Sequence, residues 1–178
     1  FVLRDDSELV TLGGGSVLEP WAEYDPVFAE NKRSYLEALE LSTPLQTLIR
    51  LAIEGKCLVN LTHFELLQNL NKNDLETILK DEKLKKKIRV FSNANHTYLV
   101  SLENWDQCRH NIINCIQDYH RSHPDLPGAD MDRLLVDLNK VPDKVLITTI
   151  VNELKDEKVL IQTSGYIGIP GFVPILLE

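Results

Sequence analysis

The residues able to do chemistry are few in this 178-residue chain, and their spacings argue mostly against a reaction. His120 and His123 stand three apart beside Asp118, where two imidazoles and a carboxylate could share a metal ion. They also sit at a helix end before Pro124, and no CxxC or HxxxH pair accompanies them, so they read as a solvated terminus. Cys108 and Cys115 are seven apart in one helix, roughly 10 Å at about 1.5 Å per residue, too far to bridge. With a third cysteine left over, the pattern implies reduced thiols and a cytoplasmic location. Asn71-Lys72-Asn73-Asp74 matches the guanine-reading NKxD pattern, but no GxxxxGK[S/T] accompanies it and a helix N-terminus explains it better. Asn60-Leu61-Thr62 and Asn95-His96-Thr97 match the glycosylation sequon, incidentally in a cytoplasmic chain. No GxSxG or HExxH frames a nucleophile. The residues thus offer no catalytic, cofactor-binding or metal-binding set.

What remains is charge. The chain carries 19 Lys+Arg against 27 Asp+Glu, a formal charge of −8, which excludes a polybasic nucleic-acid binder. The balance is uneven. Lys80, Lys83, Lys85, Lys86, Lys87 and Arg89 face only Asp81 and Glu82 within ten residues. That patch reads either as a phosphate contact or as a solvated connection. Residues 103–178 hold seven cations against twelve acids. No apolar run approaches the roughly 20 residues needed to cross a bilayer, so no membrane span or secretory segment is expected. The chain starts at Phe1 and its only methionine is Met131, so it is expected to be an excerpt of a longer protein.

These residues are positioned by elements that recur. Residues 1–20 read as strand, bend, strand, with Gly13, Gly14 and Gly15 supplying the bend. Helical periodicity begins at Asp25 and carries Leu36, Leu39 and Leu41. Thr43 and Gln46 box a second helix, with Pro44 in its first position, Leu45, Leu48, Ile49, Ala52 and Ile53 as its stripe and Gly55 at its end. Thr62 with Glu65 opens a short helix to Leu70, and Asn73 with Glu76 opens the next, to about Leu84. Ile88–Ser92 and Thr97–Ser101 then form a hairpin.

The second half repeats that order. A helix over Glu103–Ser122 carries Ile112, Ile113, Ile116 and Tyr119, and a short one holds Met131, Leu134, Leu135 and Leu138. A third opens near Pro142 with Leu146, Ile150 and Leu154 four apart, and a hairpin turns at Ser164-Gly165. Leu70-Asn71-Lys72 answers Leu138-Asn139-Lys140, and Lys80-Asp81-Glu82-Lys83 answers Lys155-Asp156-Glu157-Lys158. Three helices and a hairpin, twice over, describe tandem winged helices. The fold class is mainly α with small β-hairpins (α+β). The expected divisions are 1–24, the end of a β-barrel domain and linker, then 25–102 and 103–178, one winged helix each. The third helices, about Asn73–Leu84 and Pro142–Glu157, are the candidate recognition elements.

Two passages carry a family resemblance. Phe1-Val2-Leu3-Arg4-Asp5 followed by Gly13-Gly14-Gly15-Ser16-Val17-Leu18-Glu19-Pro20 resembles the end of the last β-barrel domain of the SelB family, the bacterial selenocysteine-specific elongation factors. Tyr119-His120-Arg121-Ser122-His123-Pro124-Asp125-Leu126-Pro127-Gly128 is similar to the phrase joining the first two helices of that family's second winged helix. The resemblance implies a parent translational GTPase that carries selenocysteyl-tRNA to the ribosome. Four C-terminal winged helices would read an mRNA hairpin after UGA, so that UGA is decoded as selenocysteine. It places GTP and magnesium in domains upstream of Phe1, and the principal RNA-reading residues beyond Glu178. This stretch would be a non-enzymatic cytoplasmic arm that itself binds nucleic acid weakly or not at all. Lys83, Lys85, Lys86, Lys87 and Arg89 are its candidate auxiliary RNA contacts.

Two other readings compete. A stand-alone tandem winged-helix transcription regulator would place Arg, Asn or Gln at the start of each third helix to read base edges. Asn73-Asp74-Leu75-Glu76 and Pro142-Asp143-Lys144 hardly provide them. A purely structural protein-interaction module is the other alternative, since fold alone does not settle function.

Overall fold

The computed structural model describes residues 2–4, 11–20, 29–41, 43–138 and 144–175. The expected helix starts at Asp25 and Pro142 lie outside these residues. Strand β1 (Val2–Arg4) pairs antiparallel with β2 (Thr11–Gly14), Val2 opposite Gly14 and Leu3 opposite Gly13. Gly13 and Gly14 therefore lie inside a strand rather than making the expected bend: extended backbone suits them, and neither has positive φ.

Helix α1 (Ala29–Leu39) buries Ala38 and Leu39. Helix α2 (Pro44–Leu48) starts as expected, with the Thr43 hydroxyl accepting the Gln46 N–H at 3.3 Å. It continues as a π-helical turn over Ile49–Glu54 and stops at Gly55, whose N–H donates to the Arg50 carbonyl five residues back. The next two starts are corrections, each two residues upstream of the expected box. Asn60, held extended as the last residue of β3 (Val59–Asn60), caps α3 (Leu61–Leu67) by accepting the His63 N–H, so Thr62 already lies inside the helix. Asn71 and Asp74 make a reciprocal capping box for α4 (Lys72–Leu79) at 3.0 and 3.3 Å. The expected third helix is also two: α4 ends at Leu79, and Asp81, accepting the Lys83 N–H at 2.8 Å, starts α5 (Glu82–Lys85).

The hairpin β4 (Ile88–Asn93) and β5 (His96–Ser101) forms, and β5 also pairs with β3, Val59 opposite Leu99 and Asn60 opposite Tyr98. This third strand was not expected; two residues are too few for a period-two pattern to show. Ser101 ends β5 and at once caps α6 (Leu102–Ser122), its hydroxyl accepting the Asn104 N–H at 3.2 Å, so no linker residue separates hairpin from helix.

The second unit repeats the plan: α7 (Met131–Asp137), capped by Asp130, then α8 (Lys144–Asp156), then β6 (Ile161–Thr163) and β7 (Tyr166–Gly168). The place of β3 is taken by one bridge, Ala129 to Ile167, with hydrogen bonds of 3.0 and 2.7 Å. In each unit a residue paired with the last strand is followed by a helix cap: Val59 by Asn60, which caps α3, and Ala129 by Asp130, which caps α7. This is a tandem winged-helix architecture, mainly α with small antiparallel sheets.

Two apolar cores hold it. The first gathers Leu48, Leu51, Leu61, Phe64, Leu84 and Leu99. The second gathers Trp105, Ile112, Ile116, Leu134, Ile150 and Leu154. Each fully buried side chain of this size stabilises by about 1.5–3 kcal/mol. Val100, though on β5, belongs to the second core, and Leu58 and Phe91 pack against that core too. None of the described helices is long and apolar enough to cross a membrane.

Candidate nucleic-acid interface

The lysine-rich stretch is pinned by one apolar residue: Leu84 is fully buried in the first core and holds α5 against the unit. Around it Lys83, Lys85, Lys86 and Lys87 are exposed. Lys86 pairs with Glu82 at 3.2 Å and Lys80, which caps the end of α4, pairs with Glu76 at 3.5 Å, both exposed bridges of one helical turn. Such pairs contribute little and yield readily to a competing anion. Lys83, Lys85 and Lys87 have no ion-pair partner among the described residues. The structure thus brings four of the five candidate residues onto one exposed turn.

The fifth, Arg89, is employed elsewhere. From β4 its guanidinium lies over the Trp105 ring of α6, 3.9 Å from the ring centre, and forks onto Glu153 of α8, with Nη1 donating to Oε1 at 3.2 Å. Glu153 also accepts from Arg109 Nη1 at 2.8 Å, and Arg109 reaches Glu157 at 3.0 and 2.6 Å. Hydrogen bonding to Arg109 holds the Glu157 carboxyl below its ordinary range, and the same bond raises Arg109 further. Phe91 meets the Trp105 ring edge-on at 5.4 Å and stacks with Tyr98 at 5.6 Å. Asn93 donates from Nδ2 to the Thr149 hydroxyl of α8 at 3.3 Å. The first wing is therefore seated on α6 and α8, and one flank of the second unit's third helix, at Thr149 and Glu153, is covered by it.

Periodicity did not reveal Trp105 and Arg109 as contact residues. The expected stripe of α6 started at Ile112, but Trp105 and Cys108 extend it by two turns; that spacing was the available signal. The pairing of Arg89 with Glu153, 64 residues away, had none.

His120 corrects an expectation. It is 6% exposed rather than solvated. Its Nε2 accepts the Ile169 N–H at 3.2 Å, its ring packs 3.7 Å from that of Phe172, and Nδ1 has no hydrogen-bond partner among the described residues. Burial lowers its pKa. His123 stacks on Tyr119 at 4.4 Å, so the two histidines serve different contacts and do not converge. Among the described residues no group of three His, Cys, Asp or Glu could hold a metal ion.

Burial also raises all three cysteine thiols, Cys108 to about 11, which makes them poor nucleophiles at neutral pH. An open groove of about 670 Å³ between α6 and α7 is lined by Asn111, Cys115, Asp118, Ser122, His123 and Arg133. The Ser122 hydroxyl stands 3.0 Å from His123 Nδ1 but donates its one hydrogen to the Asp118 carbonyl at 2.8 Å, so the imidazole does not take it as a base.

A search of curated proteins returns no match. Residues 113–168, running from within α6 to the end of β7, match the family described as elongation factor SelB, winged helix, so that stretch is similar to a winged helix of that family.

Proposed function

We propose that this chain is the arm of a SelB-type, selenocysteine-specific translation elongation factor, joining a GTPase and tRNA-binding body to an mRNA-hairpin-binding tip. The observation that carries the reading is the family match over residues 113–168. On this reading the arm performs no reaction. GTP and magnesium belong to the parent's upstream domains, and selenocysteyl-tRNA, the mRNA hairpin and the ribosome are partners of the whole factor in the cytoplasm. Lys83, Lys85, Lys86 and Lys87 add a sequence-independent RNA contact.

The seating of the first wing disfavours a DNA-reading regulator: Arg89, the wing's arginine, is held by Trp105 and Glu153, and α8 carries no arginine and balances Lys144 and Lys155 with Glu153 and Asp156.

The test has two arms. In the first, the 178-residue chain is titrated with duplex DNA and with an RNA hairpin; weak or absent binding of both is expected, and tight duplex binding at physiological salt overturns the reading. In the second, Lys85, Lys86 and Lys87 are replaced by Glu in the full-length factor. Ribosome or RNA association should weaken, and the log–log salt slope should fall by about 2–3 if each lysine meets one phosphate. Unchanged binding and slope would reduce the patch to solvated surface.

A further inference from the structure

Winged helices joined end to end ordinarily have freedom at the joint, set by the linker and by the small polar interfaces typical between domains. Here three independent features remove it. The linker has zero length, because Ser101 is both the last residue of β5 and the cap of α6. Leu58, Phe91 and Val100, from the first unit, pack into the second unit's core beside Trp105. Around that apolar contact lies a polar rim that crosses the joint: two ion pairs, Arg89 to Glu153 and Lys56 Nζ to Glu103 at 2.7 Å, and two neutral hydrogen bonds, Asn93 to Thr149 and Asn104 Nδ2 to the Lys56 carbonyl at 2.9 Å.

We infer that the first wing is a docking clamp rather than a nucleic-acid probe: it locks the two winged helices into one rigid body, with Arg89 as the residue that positions them. Arg89 suits the task because a planar guanidinium stacks on an indole and forks onto a carboxylate at once, which a lysine ammonium cannot do. Glu153 is the shared anchor, taking Arg89 from one unit and Arg109 from the other. Losing it leaves two half-buried arginines side by side, an outcome worse than losing either cation alone. The same contact accounts for the different exposure of the cations in the basic stretch: the four lysines face solvent, and the arginine faces the joint. This inference stands whether or not the chain belongs to an elongation factor.

The test uses the whole 178-residue chain in weakly aligned solution. Backbone amide residual dipolar couplings from residues 43–101 and 102–168 should fit one alignment tensor. R89A should split the fit into two tensors with chemical-shift changes at β4, the start of α6 and α8, and R89K should fall between. E153Q, which keeps the side-chain volume, should split it as well and carries the test if R89A does not fold. Two tensors in the unmodified chain would overturn the rigid body. One unaltered tensor in both R89A and E153Q would overturn the role of Arg89.

Discussion

Tyr35 of α1 donates its hydroxyl to Glu19 at 3.0 Å, across sixteen residues of sequence. His63 of α3 stands 3.2 Å from the other oxygen of the same carboxylate, whose side chain is only 9% exposed. One acid thereby ties the segment that follows β2 to two helices of the first unit. Burial, reinforced by the Glu19 hydrogen bond, pushes the Tyr35 pKa well above its ordinary value of 10.

E19A should cost about 1–3 kcal/mol, since it removes the acceptor of the partly buried Tyr35 hydroxyl. Tyr35 should then ionise at lower pH, though burial still holds it above an exposed tyrosine. Denaturant melts give the first quantity; alkaline absorbance titration, with Y35F subtracted to isolate one tyrosine, gives the second.

His120 makes stability fall with acid. Its folded pKa lies below the unfolded value of about 6.5, so the unfolded chain takes up the proton first as pH drops. The stabilisation is whole above that value and is lost below it, at up to about 1.4 kcal/mol per pH unit for one proton. Protonation also ends the ability of Nε2 to accept from Ile169. Thermal melts from pH 7.5 to 5 should show the decline in the unmodified chain and a shallower one in H120Q. Equal slopes would show that this imidazole is not the group responsible.

Gly128 and Gly165 both have positive φ, but substitution should affect them differently. At Gly128 (φ 154°) a Cβ would lie 2.1 Å from the Ile167 carbonyl oxygen, inside the bridge that joins Ala129 to β7. At Gly165 (φ 92°), in the tip of the second wing, nothing lies within 4 Å. G165A should therefore cost only backbone strain, of order 1 kcal/mol, whereas G128A should cost several times more or prevent the second unit from folding. Circular-dichroism melts of the two variants would rank them.

The helix starts give a sharper check on α4. N71A should lose about 1 kcal/mol, because it removes the acceptor for the Asp74 N–H. N73A, in the first turn with its side chain exposed, should lose little. If N73A proved the costlier in urea melts, the box would start where the periodicity first suggested.

How far the fold can be read from the sequence depends on the range of the interaction. Pro44 at a first helical turn, Gly55 at an end, and the β-type runs of β4 and β5 around a polar loop are local, and each element stands where those signals put it. The capping boxes erred by two residues because Thr62-Glu65 and Asn73-Glu76 satisfy the same spacing rule as the true caps. What excludes the first is the pairing of Asn60 with Tyr98, a contact 38 residues distant. His120 read as solvated because the proline after it marks a helix end, yet Ile169 and Phe172 cover it from another part of the chain. Among the candidate contacts, the lysines were legible because exposure needs no partner. The employment of Arg89 was not, because it depends on Trp105 and Glu153 converging from separate helices.

The absence of any spacer at Ser101 bears on how such a chain can change over time. Tandem domains usually diversify as cassettes, exchanged, duplicated or lengthened at the loops between them. Here an insertion after Ser101 would rotate α6 by about 100° per added residue and carry Trp105 off Val100 and Arg89. The two halves look like repeated modules, but at this junction they can be inherited only as a pair, and variation is left to the solvent-facing lysines and to the second wing.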